Sequence, residues 1–209
     1  MSTPFFSIPH PSRLLLGLVA ALLLLLGAAA CTSQRGDRGF GNGPLSDGER
    51  SEVRRQIRRL AAAKTMRENP EDEVRYEEAK RALEGRGSTI QGILLEELAA
   101  SSDWGVRYGI VNVLSSVGTQ RMVEPLIHVL DDTEPQVAWM AMVVLQVVCD
   151  HRIPDPASTD ERFPPFVGDE SDLDLNERNW RNWHAMHGRQ LRDAWQKWWD
   201  ENQHRLRIE

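Results

Sequence analysis

The chain has 209 residues, 27% of them charged, with 25 Lys and Arg against 31 Asp and Glu for a formal net charge of −6. Set apart from a leader, that length is room for one ordinary domain, and the acidic balance excludes a protein that meets nucleic-acid phosphates or anionic lipid with its own charges. Two cysteines, Cys31 and Cys149, permit at most one bridge and no disulfide framework.

Residues 1–30 hold one charged side chain, Arg13, followed by an apolar run that ends in small residues. This is the tripartite plan of a secretory signal peptide. Ala28-Ala29-Ala30-Cys31 resembles the recognition box of bacterial lipoproteins, although Ala28 stands where that family usually has leucine. The resemblance implies cleavage before Cys31, a diacylglyceryl thioether on its sulfur, and membrane attachment through two or three acyl chains, which hold stably where one does not. Thr32, in place of the aspartate that acts as a retention signal, implies the outer membrane. Two other fates fit the same residues: secretion after an Ala-x-Ala cut, and an uncleaved anchor, since 17 apolar or small residues at 14–30 lie at the short edge of a bilayer span.

Residues 31–48 are glycine-rich and poor in large apolar side chains, so the composition predicts a flexible tether. Gly39 to Gly43 lacks the strand and lysine that a phosphate-cradling loop requires. Helical patterning begins at Glu49 and predicts a helical domain over 49–152. Val53, Ile57, Leu60 and Ala61 share one face of the first helix, and Tyr76, Ala79 and Leu83 share one face of the second.

Between Ile90 and Cys149 the sequence meets itself at a shift of 31 residues. Leu95, Leu98 and Ala99 fall on Leu126, Val129 and Leu130, and Asp103, Val106 and Tyr108 fall on Glu134, Val137 and Trp139. Val113, Leu114 and Val117 fall on Val144, Leu145 and Val148. Such a period marks stacked structural repeats. Asp103-Trp104-Gly105-Val106-Arg107 resembles the head of the second helix in HEAT-type repeats, with Ala138 replacing the arginine in the next unit and an echo at Asp72-Glu73-Val74-Arg75-Tyr76. The resemblance implies an all-α fold, a short solenoid of stacked antiparallel hairpins. Arg107 is expected to make a stabilising ion pair with Asp103, Asp131 or Asp132, and Cys149 to be a buried, inert thiol.

Residues 153–177 are broken by prolines and crowded with acids, and the opening of a calcium loop at Asp172 fails at Glu177 and Trp183, where glycine and glutamate are needed. Asp174 or Asn176 is expected to cap the helix that follows. That helix, over 178–209, carries five of the seven tryptophans: Trp180, Trp183, Trp195, Trp198 and Trp199. Two roles suit them. They cap the open end of the repeats, or they form a ridge that binds a protein partner. No catalytic motif is present, no cofactor is implied, and the expected function is a membrane-tethered, extracytoplasmic protein-binding scaffold of the cell envelope. An enzyme or metal-binding protein using His151, His184 and His187, by analogy with HEAT-like lyases, and a purely structural envelope protein are the alternatives.

Overall fold

Ser46 and Glu49 close a reciprocal cap. The Glu49 backbone N–H donates to Ser46 Oγ at 3.3 Å, and the Ser46 N–H donates to Glu49 Oε2 at 2.8 Å. Two orphan amides are thereby satisfied, and the first helix starts at Asp47, two residues before the apolar periodicity becomes visible. The computed structural model describes residues 45–153 and 173–206. The leader with Cys31, nearly all of the tether and the stretch 154–172 lie outside them.

Every regular element among the described residues is helical. Helix α1 (Asp47–Arg59) runs into a 3₁₀ segment at Leu60–Lys64, and α2 (Pro70–Glu84) follows, capped by Asn69 with Pro70 in its first turn. Helices α3 (Gln91–Ala100), α4 (Trp104–Val117), α5 (Val123–Val129) and α6 (Pro135–Cys149) carry the self-similar stretch, and α7 (Leu173–Asn202) closes the described chain. Residues 173–177 thus belong to α7 rather than to the irregular segment. Asp174 and Asn176 lie inside its first turns, and Glu177 binds Arg67 at 3.0 Å and Gln136 at 2.5 Å.

Consecutive helices pair as α1 with α2, α3 with α4, and α5 with α6. Helix α4 also touches α2 and α6, and α7 lies against α5 and α6. In the second helices the shift relates core positions: Val106, Val113 and Leu114, and Val137, Val144 and Leu145, are all buried, whereas in the first helices Ala99 is exposed and its counterpart Leu130 buried. The echo at residues 72–76 behaves differently. Val74 is 57% exposed while Tyr76 is buried and its hydroxyl accepts from Asn112 Nδ2 at 2.7 Å, so this stretch turns another face of its helix inward.

Two glycines decide how closely the 3₁₀ segment approaches α4. A Cβ at Gly105 would lie 2.9 Å from the Ala61 carbonyl oxygen, and one at Gly109 would lie 2.6 Å from Leu60 Cβ. The residues sit four apart, on one face of the helix.

Asp103 caps α4 by accepting from the Gly105 and Val106 amides at 2.9 and 3.3 Å. Arg107 grips Asp132 with two bonds of 2.7 Å and donates to the Ser101 carbonyl at 3.1 Å. With side chains only 13% and 9% exposed, this pair ties the head of α4 to the turn after α5. Of the three acids within the expected reach of Arg107, Asp132 is the one it takes. Asp131, next door, pairs with Arg192 of α7. Two adjacent acids in one turn therefore anchor two different helices.

Candidate functional site

The C-terminal tryptophans are packed. Trp180, Trp183, Trp195 and Trp199 are buried and Trp198 half-buried. Trp180 donates from Nε1 to the Pro135 carbonyl at 2.6 Å, meets Trp139 edge-on at 5.1 Å and stacks on Trp183 at 5.5 Å. In this arrangement the rings fill the space between α7 and the helices beneath it, and only Trp198 offers partial access. A continuous ridge of exposed indoles is not formed.

The three histidines are engaged separately. His184 is buried, with Nε2 2.9 Å from the Leu130 carbonyl oxygen. Its ring occupies the space above Gly188, where a Cβ would approach to 2.8 Å. Gly188 makes room for an imidazole within a continuous helix. His187 Nδ1 meets Gln190 Oε1 at 2.9 Å. His151 stacks on Trp198, with ring centres 4.2 Å apart and planes at 6°, and burial pushes its pKa down. No group of three metal ligands occurs among the described residues. Cys149 is buried, and burial pushes its thiol up to about 11.

A concave feature lies at the other end of α7. A cleft of about 380 Å³ opens between the 63–68 segment, the N-terminal turns of α4 and α6, and the start of α7. That is within the range of small-ligand sites. Its walls are aromatic and thioether-rich: Trp104, Tyr108, Trp139 and Trp180, with Met66 and Met140. Trp104 and Tyr108 are one turn apart on α4 and so neighbours. Trp139 is the residue that the 31-residue shift aligns with Tyr108. The repeat register therefore sets aromatic rings at matching positions of two adjoining helices.

The polar rim is largely committed to itself. Lys64 Nζ donates to Asp103 Oδ2 at 2.8 Å. Burial works to raise the Asp103 carboxyl, but the Lys64 bond and the two helix amides outweigh it and hold the group below its ordinary value. Glu177 accepts from Gln136, Arg67 and, at 3.3 Å, Arg181. Burial opposes its ionisation too, and those donors again prevail. Tyr108 is held protonated by burial, against the pull of Arg67. Glu68 is the exception, an exposed carboxylate on the rim with neither hydrogen bond nor ion pair from its side chain among the described residues.

The sequence pattern pointed to Trp180 but missed Trp104, Tyr108 and Trp139. The available signal was the aromatic pair recurring at the 31-residue shift, read there as packing. Among the described residues no helix is long and apolar enough to cross a membrane. No protein-family model, curated protein or solved structure matches this chain.

Proposed function

We propose that this protein is a lipid-anchored, extracytoplasmic binding module, a short HEAT-like solenoid that holds a protein partner at the cell envelope. The observation that carries the reading is the aromatic cleft at the meeting point of two repeat-related helices and α7. Half-exposed Trp and Tyr side chains combine apolar contact area with little conformational freedom to lose, as interface residues do. The row α2, α4, α6 supports a stacked-hairpin architecture, which presents an extended surface for a partner, with α7 covering its far end. The box before Cys31 supports the address, and the glycine-rich stretch after it supports a tether that lets the domain stand off the membrane.

Two measurements test the proposal. The first is the mass of the N-terminal peptide of membrane-extracted protein beside Cys31→Ser: a peptide beginning at acylated Cys31 is expected, and one retaining residues 14–30 removes the lipoprotein reading. The second is site-specific photocrosslinking in intact cells from position 65, an exposed residue beside the cleft lining. A discrete crosslinked protein, absent when the crosslinker is moved to exposed Val147 on α6, is expected. A smear, or equal products from both positions, removes the binding-module reading.

A further inference from the structure

We infer that the aromatic cleft receives the guanidinium of an arginine presented by the protein partner, an assignment that rests on the binding-module reading. Aromatic faces carry negative potential and attract cations, arginine most often. Trp104 and Tyr108 stand one turn apart on the cleft wall and are each only half-buried.

The charges on the rim decide the sign of the occupant. The two cations, Lys64 and Arg67, are committed to Asp103 and Glu177 at 2.8 and 3.0 Å. Each of these cations already faces a carboxylate, so their charge is largely neutralised at the cleft. Glu68, by contrast, is an uncompensated carboxylate at the mouth. The Tyr108 hydroxyl, with no hydrogen bond among the described residues, is an acceptor that a guanidinium can use. A planar, weakly hydrated guanidinium stacks on a ring and still donates in its plane to a carboxylate, which a compact, strongly hydrated ammonium does less well. The formal charge of −6 on the whole chain favours encounter with a basic surface.

The test uses the full purified chain, with the tryptophan indole N–H signals followed by NMR. The probes are the peptide acetyl-Gly-Gly-Arg-Gly-Gly-amide and its citrulline counterpart, which keeps the shape and removes the charge. The arginine peptide is expected to shift the Trp104 and Trp139 signals saturably at about millimolar concentration, near 4 kcal/mol of binding. The citrulline peptide should bind at least about tenfold more weakly, a difference of about 1.4 kcal/mol. Glu68→Gln, an exposed change that leaves the packing untouched, should weaken the arginine peptide severalfold. Equal binding of the two peptides, indifference to Glu68→Gln, or no saturable shift at Trp104 and Trp139 overturns the assignment. Photocrosslinking separates the two levels. A discrete partner whose capture survives both Glu68→Gln and Trp104→Ala keeps the binding module and removes the arginine site. Selective arginine binding without any discrete crosslink removes the protein partner instead.

Discussion

Replacing Gly109 by alanine sets helix propensity against packing and shows which prevails at the crossing of α4 and the 60–64 segment. Gly109 lies in the interior of α4, where alanine is favoured over glycine by about 1 kcal/mol. The new Cβ would sit 2.6 Å from Leu60 Cβ and 3.1 Å from both Cγ and Cδ1. Carbon atoms pack best at about 3.5–4.0 Å, so the closest approach is roughly 1 Å too short. Leu60 is fully buried, and its Cβ is fixed to the backbone. Relief therefore requires the 3₁₀ segment to move away from α4, and overpacking of this kind costs about 1–3 kcal/mol. The net expectation is a loss of up to about 2 kcal/mol, each kcal/mol lowering Tm by about 2–4 °C. Gly92 is the internal control, since it lies in the first turn of α3, exposed, with nothing within 4 Å of an added Cβ. Alanine there should raise stability by up to about 1 kcal/mol. Urea unfolding followed by circular dichroism gives both numbers. If Gly109→Ala raises stability as Gly92→Ala does, the close crossing is not a determinant of this fold.

Arg107→Ala strands a nearly buried Asp132 carboxylate and should cost about 3–5 kcal/mol, whereas Arg107 and Asp132 replaced together by apolar residues should lose much less; a double-mutant cycle in urea reads the difference. Asp103→Ala removes a helix cap and should cost about 0.5–2 kcal/mol, while Asp103→Asn keeps the cap and loses only the Lys64 pair. Since the Asp103 and Glu177 carboxyls are held below their ordinary values, the unfolded chain takes up their protons first; stability should fall as pH drops through the carboxylate range, less so in Asp103→Asn. At the alkaline end the sign follows the opposite shift. The Cys149 thiol is raised to about 11, so the unfolded chain releases that proton first, and stability should decline as pH rises above about 9. Cys149→Ala should flatten that limb, and native Cys149 should resist alkylation at pH 8. Trp180→Ala, which empties the space between Trp139 and Trp183 and frees the Pro135 carbonyl, should cost about 3–5 kcal/mol in thermal unfolding; a stable variant would mean that this indole is dispensable to the core.

Periodicity made the helices legible, because an amphipathic helix must repeat its apolar residues at the turn spacing whatever it packs against. Hence Tyr76, Ala79 and Leu83 were read as one inner face and are buried together. The 31-residue shift was equally visible in the sequence, but its pairs are buried alike only in part: Val113 and Val144 are both buried, whereas Ala99 is exposed and Leu130 buried. Ends were read less well. The start of α1 rests on a Ser46–Glu49 exchange outside the apolar pattern, and the start of α7 on contacts from Glu177 to residues 67 and 136.

By itself the sequence determined the helical class, several of the buried faces and the acidic charge balance, all of which follow from local spacing and composition. Tertiary structure alone decided that Arg107 takes Asp132 while Arg192 takes Asp131, because such choices depend on distances between helices. It also turned Trp180, Trp183, Trp195 and Trp199 inward. Spacing puts a tryptophan on a face, but only a neighbouring helix makes that face interior. The cleft belongs to the same class of facts. Trp104, Tyr108 and Trp139 are ordinary members of an apolar pattern until α7 crosses over them and leaves a gap that no residue among those described fills.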